Sequence, residues 1–114
     1  MHELGMVFSI IDTIEQVGAE NSLTKVTEVT LEVGEVSGIV PQFLTECWGW
    51  SVKKSPLLDG SELKIEIIPA VTYCEDCGKT YPTVEFAKVC PHCHSEKTYL
   101  AVGNELNIKD ITAC

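Results

Sequence analysis

Cationic side chains are the scarcest chemistry in this chain. It has eight basic residues, all lysines, against 17 Asp and Glu, for a net charge of −9. Apart from Lys53-Lys54 the lysines are scattered. A phosphate-binding surface needs clustered cations, so this balance argues against nucleic acid as a partner. Long apolar runs are also missing: none approaches the roughly 20 residues of a membrane-spanning helix. Met1-His2-Glu3-Leu4-Gly5 carries no Lys or Arg, and Asp12 and Glu15 interrupt the apolar residues that follow. A secretory signal needs a basic start and an unbroken apolar stretch, so a cytoplasmic location is expected. No Gly-rich loop is placed to cradle phosphates, and no His-x-Glu motif precedes the cysteines. The chain therefore reads as a non-enzyme: neither nucleotide hydrolysis nor water-activating zinc chemistry is expected of it.

Against these absences stands one dense feature. Cys74, Cys77, Cys90 and Cys93 form two Cys-x-x-Cys pairs separated by twelve residues. Each pair places two thiols at the tip of a tight turn, so that one ion can be gripped from two sides. Four soft sulfur donors with no open position suit Zn2+ in closed tetrahedral coordination, a structural site. Gly78 after the first pair and Pro91 within the second agree with tight turns. Paired disulfides are the alternative, disfavoured in a reducing compartment. Cys47 reads as a small buried side chain in a helix and Cys114 as a terminal residue; neither is assigned a role.

Around the quartet, the apolar pattern sets out a small fold. Leu4, Val7, Ile11 and Ile14 recur at helical spacing, widened by Ile10 and Val17, predicting a helix from about residue 4 to 17, with Gly18 as a stop. From Lys25 to Gly34 the period becomes two, with Val29, Leu31 and Val33 alternating with polar residues: a half-buried strand. Gly34 and Gly38 bracket a turn. Pro41 suits the first turn of a second helix to about Lys53, with Phe43, Leu44, Cys47, Trp48 and Val52 as its apolar face. Leu63, Ile65 and Ile67 predict a second strand ending before Pro69, and Asn104 to Ile111 a returning one. The stretch from Val71 to Thr98 is turn-rich and short of large apolar residues. Metal-linked folding energy of about 10–16 kcal/mol can supply the stability it lacks.

The reading is α+β, with two helices packed on a small sheet and a zinc-ribbon-like insert held by four cysteines. Residues 1–69 plus 99–114 form the first domain and 70–98 the zinc-binding domain.

His2 draws its interest from its position. A free terminal amine at Met1, the next amide nitrogen and the His2 imidazole can close around one ion in fused five- and six-membered chelate rings. Ni2+ and Cu2+ favour such planar nitrogen donors, and Zn2+ gains less from them. Glu3 offers a further ligand, through its amide or carboxylate. The plain alternatives are a His that follows the initiator Met by chance, and a Glu favoured near a helix N-terminus by the dipole.

Met1-His2-Glu3-Leu4 opening a helix, Leu31-Glu32-Val33-Gly34 followed by Val36-Ser37-Gly38, Pro41, Phe43 and Cys-x-x-Cys…Cys-Pro-x-Cys together resemble the HypA/HybF family over the whole chain. That family comprises nickel metallochaperones for [NiFe]-hydrogenase and, in some organisms, urease. The resemblance implies Ni2+ as cargo at Met1, His2 and Glu3, with His2 indispensable, and structural Zn2+ at Cys74, Cys77, Cys90 and Cys93. It implies delivery with the GTPase HypB, docking through the N-terminal half, to the hydrogenase large subunit or its maturation complex, or to urease maturation proteins, by a monomer or homodimer. Some members carry a His shortly after each Cys pair. Here His94 follows Cys93, while Lys79 stands in the comparable place after the first pair. His94 is then an alternative zinc ligand, and His92 and His94 read more simply as solvated residues on a metal-binding turn. A zinc-ribbon interaction module without nickel function is the competing reading.

Overall fold

Residues 2–114 are described by a computed structural model of the chain, with side chains from Leu4 onward. The apolar stripe of the opening segment becomes α1 (His2–Glu20), which buries Val7, Ile10, Ile11 and Ile14. The helix runs past Gly18. A Cβ there would lie 2.6 Å from Leu57 Cδ2, so this glycine serves close packing rather than termination. The stop comes one turn later. Ser22 takes φ 54, and the Leu23 N–H donates to the Gly18 carbonyl at 2.9 Å, the left-handed six-to-one closure of a Schellman motif.

The chain divides into two compact units: one comprising the chain up to Glu32, Ile39–Glu66 and Asn107–Cys114, the other Val33–Gly38 and Ile67–Leu106. In the first, α1 packs against α2 (Pro41–Ser51), which has Pro at its first turn as expected and continues as a 3-10 turn, Val52–Lys54. Leu44, Cys47, Trp48 and Val52 are buried, and Trp48 Nε1 donates to Ser61 Oγ at 3.2 Å. Phe43, expected on this buried face, is 52% exposed. It precedes Leu44 by one residue, about 100° round the helix, and so misses the narrow buried stripe.

The main sheet has the order β2-β1-β6, from β1 (Val26–Gly34), β2 (Glu62–Ile68) and β6 (Leu106–Ala113). The central strand carries the heaviest burial, with Val26, Val29, Leu31 and Val33 inside. Lys64 pairs with Glu28 at 3.1 Å, and Lys109 with Glu66 at 2.9 Å. These exposed pairs add little stability but fix charges on one face. The expected alternation of β2 fails at its end, where Ile67 is exposed and Ile68 half-buried.

The second unit is strand-rich where the sequence predicts turns. Strands β3 (Val71–Cys74), β4 (Thr80–Pro82) and β5 (Thr98–Val102) form an antiparallel sheet of order β4-β3-β5, and a one-turn helix α3 (Thr83–Phe86) follows β4. These strands are too short for their apolar alternation to stand out. The boundary placed between residues 98 and 99 falls inside β5.

Two glycines set the close approach of non-adjacent segments in this unit. A Cβ on Gly34 would lie 2.1 Å from the Gly103 carbonyl oxygen, and one on Gly103 would lie 2.4 Å from Ala70 Cα. Gly103 also has φ +116, a conformation open mainly to glycine. Bonds across the stack secure it: Gly34 N to Glu105 O at 2.8 Å, Val36 N to Gly103 O at 2.9 Å, and Ala70 N to Glu35 Oε1 at 2.8 Å. Gly34→Ala is expected to destabilise the protein by about 1–3 kcal/mol, because backbone must move to admit the methyl group. Gly49→Ala, in α2 with no atom within 4 Å of the added carbon, should instead stabilise it by about 1 kcal/mol. Urea unfolding of the two variants checks the contrast.

Candidate metal centre

Two turns of the same construction carry the four cysteines. Cys74 ends β3, and Cys77 lies in the turn that follows. In the first turn the Gly78 N–H donates to the Cys74 carbonyl at 2.9 Å, and the Cys74 N–H to the Lys79 carbonyl at 3.0 Å. In the second, the His94 N–H donates to the Cys90 carbonyl at 2.8 Å, and the Cys90 N–H to the Ser95 carbonyl at 3.0 Å. The two turns thus superimpose bond for bond. Gly78 (φ 72) and His94 (φ 63) occupy the same left-handed position.

His94 therefore corresponds structurally to Gly78, and Ser95 to Lys79. The sequence signal was available: each residue directly follows the second cysteine of its pair. A left-handed backbone is easy for glycine and unfavourable for a bulky residue, so the second turn holds a strain the first does not.

The turns bring the sulfurs together. All four Sγ atoms lie within 4.8 Å of one another, with Cys74–Cys93 at 3.5 Å and Cys77–Cys90 at 3.6 Å. A tetrahedral Zn2+ with bonds of about 2.3 Å to sulfur requires S···S edges of about 3.8 Å, so the set fits that ion. Neither imidazole belongs to this cluster. Cys74 and Cys90 are buried, Cys77 is intermediate and Cys93 exposed. Tyr81 completes the buried group, its hydroxyl donating to the Ala87 carbonyl at 2.9 Å and its ring meeting Phe86 edge-on. Nothing in the spacing of cysteines marked Tyr81 for this role. Ser95 Oγ hydrogen-bonds Asp76, which ties the two turns to each other.

Without a cation, the cluster resists full ionisation. Burial pushes the Cys90 thiol up, but the backbone N–H groups of Cys93 and His92 and the neighbouring thiols bring it down to about 7. The Ser95 N–H favours the Cys93 thiolate, yet desolvation and the three other sulfurs push that thiol up to about 12. Cys77 is also raised: the Lys79 N–H opposes the shift, and desolvation with two neighbouring thiols outweighs it. The Cys90 thiolate forms readily, whereas Cys77 and Cys93 are favoured as thiolates once a positive ion offsets the repulsion, which is what a divalent metal supplies.

The nickel ligands expected at the N-terminus lie outside the described residues in the respects that matter: Met1 entirely, and His2 and Glu3 for their side chains. The backbone of His2 and Glu3 belongs to the first turn of α1.

A family model described as hydrogenase/urease nickel incorporation, metallochaperone, hypA matches residues 1–113. The chain belongs to the HypA family. Among its relatives in that family, the hydrogenase maturation factor HypA of Chlorobaculum parvum is 36% identical over 112 residues, covering 98% of both chains. The hydrogenase maturation factor HybF of Morganella morganii is 32% identical over 111 residues, covering 97% of both. The fold matches the solution structure of the Ni metallochaperone HypA from Helicobacter pylori with a TM-score of 0.76 at 23% identity, over 97% of this chain and 96% of that one. HypA membership bears out the resemblance carried by the opening tetrapeptide, the Leu31–Gly38 segment and the cysteine quartet. The α+β architecture with clustered cysteines agrees with it. Among the described residues, no helix is long and apolar enough to cross a membrane.

Chelation of the bound metal should abolish amide protection across Val71–Val102 before it affects α1 and α2, as read by hydrogen exchange. His94→Gly relieves the left-handed strain and removes the imidazole; zinc binding should be retained and tightened by up to about tenfold. Competition with a colorimetric chelator measures it, and weakened binding would make His94 a ligand.

Proposed function

We propose that this chain is a non-enzymatic, cytoplasmic nickel metallochaperone that delivers Ni2+ during maturation of [NiFe]-hydrogenase, with Zn2+ as a structural ion at Cys74, Cys77, Cys90 and Cys93. The observation that carries the reading is the family match across residues 1–113, which takes in Met1-His2-Glu3 as well as both cysteine pairs. The names of the relatives, hydrogenase maturation factors over nearly their whole lengths, support the same destination for the metal. Urease is a second destination within the scope of the family description. Residues 1–69 plus 99–114 handle nickel in this proposal, and 70–98 hold the zinc. HypB is the proposed delivery partner, and the hydrogenase large subunit or its maturation complex the recipient.

The chemistry divides along donor type. Thiolates bind Zn2+ in a closed set that leaves no position for cargo or for a reactive water, which supports a non-catalytic role for that ion. Nickel is held where nitrogen donors can lie in a plane: the unblocked amine of Met1, the His2 amide nitrogen and the His2 imidazole, with Glu3 next to them. Release is ligand exchange. A partner that offers competing ligands, or that reprotonates the amide nitrogen, takes the ion without any covalent step.

His2→Ala in untagged protein is expected to lower nickel affinity by at least tenfold while leaving zinc stoichiometry unchanged, as measured by titration and metal analysis. An N-terminal extension should act in the same direction. Protons compete with nickel for the amide nitrogen, so affinity should fall as the solution is taken from about pH 8 to about pH 6. Equal nickel affinity in wild type and His2→Ala would leave a zinc-held interaction module as the better reading.

A further inference from the structure

Two sulfur contacts cross from one cysteine turn to the other: Cys74 Sγ to Cys93 Sγ at 3.5 Å and Cys77 Sγ to Cys90 Sγ at 3.6 Å. A disulfide is about 2.05 Å long, so each pair needs an approach of about 1.5 Å to bond. Access is uneven within each pair. Cys93 is exposed and Cys74 buried; Cys77 is partly exposed and Cys90 buried. Each crossing contact thus joins a sulfur that solvent reaches to one that it does not. A bond inside a single Cys-x-x-Cys pair would have to form within a turn already closed by backbone hydrogen bonds. Those are Gly78 N–H to Cys74 O and Cys74 N–H to Lys79 O in the first turn, and their His94 and Cys90 counterparts in the second. Crossing bonds leave all four in place and draw together turns that Asp76 and Ser95 already tie.

We propose, resting on Zn2+ as the ion of the proposed function, that hydrogen peroxide exchanges it for disulfides Cys74–Cys93 and Cys77–Cys90 and leaves the second unit folded. The Cys93 thiolate attacks a peroxide oxygen, the O–O bond breaks, hydroxide leaves and a sulfenic acid remains on sulfur. The Cys74 thiolate then attacks that sulfur, the S–O bond breaks and a second hydroxide leaves. Cys77 and Cys90 repeat the sequence with a second peroxide. In total four thiolates lose four electrons to two peroxide molecules, giving two disulfides and four hydroxide ions. Zinc keeps its oxidation state and departs as Zn2+, because its ligands are thiolates and a disulfide does not replace them. While the thiolates stay reduced, the closed site holds its ion. The bridges close nested loops, 77–90 inside 74–93, and so restrain the unfolded chain in place of the metal. They also turn thiolates into neutral sulfur, which suits the buried surroundings of Tyr81. Bonds within the pairs would close only the short turns and leave them unlinked.

The full-length, untagged, reduced chain is first assayed for zinc, with one ion per chain expected. Hydrogen peroxide is then added stepwise, released zinc is read with a colorimetric chelator, and disulfides are mapped by tryptic digestion and mass spectrometry. Trypsin cuts after Lys64, Lys79, Lys88 and Lys97, which puts Cys74 and Cys77 in peptide 65–79 and Cys90 and Cys93 in peptide 89–97. Crossing bonds hold these two peptides together as one species, which is the expected product, and fragmentation should place Cys74 on Cys93. Zinc should be lost in step with that species. Amide protection across Val71–Val102 should survive oxidation and vanish only when a thiol reductant and a zinc chelator are added together. Separate peptides, each with an internal disulfide, overturn the proposal. So do sulfinic or sulfonic acids in place of disulfides, zinc that stays bound in excess peroxide, or amide protection lost once the crossing bonds have formed. A reduced chain without zinc overturns the zinc assignment itself, and that failure is read before any oxidant is added.

Discussion

The convergence of four sulfurs is what the second unit depends on. Its buried apolar cluster consists of Cys74, Tyr81 and Cys90, with Cys77 packed against it. Three of these four residues are thiols of the clustered quartet. A cluster made mainly of thiols has little apolar area to remove from water, and metal bonds there would do what aliphatic packing does elsewhere. The surrounding structure is arranged to hold the sulfurs at tetrahedral spacing. Paired N–H···O bonds close each turn, the Tyr81 hydroxyl fixes the end of α3, and Asp76 and Ser95 tie one turn to the other. A metal bound at this quartet would couple folding to binding in this part of the chain.

The same reasoning bears on why a metal carrier would have a second, closed donor set. Closed thiolate coordination is slow to open and leaves no vacant position, which suits an ion that is not cargo. A planar nitrogen set such as the one proposed for nickel has the opposite character in principle, because its amide donor is controlled by a proton. In the proposed function, a difference in donor chemistry would keep a structural ion and a cargo ion apart within one small protein.

Much of this was legible in the linear chain because the underlying signals are local. The spacing of Val7, Ile10, Ile11 and Ile14 dictates a buried helix face, the alternation around Val29 to Val33 a strand, and Cys-x-x-Cys a turn with two inward thiols. Where local signals are weak, structure is not legible in the sequence. Three strands of three to five residues have too little periodicity to register. Gly18 resembles a helix stop but is a packing contact with Leu57, a residue remote in sequence. Phe43 belongs to the apolar composition of α2 but not to its buried stripe.

Donor identity and local spacing depend on neighbours within a few residues, so the cysteine quartet and the α+β class were determined by the sequence alone. The tertiary structure decided what arises between distant segments. It placed His94 in the glycine position of the second turn, and it closed the backbone of Gly34 on Gly103 and of Gly103 on Ala70. It also left β5 at the edge of its sheet. These outcomes follow from which backbones meet in space, and residue order carries no direct record of that.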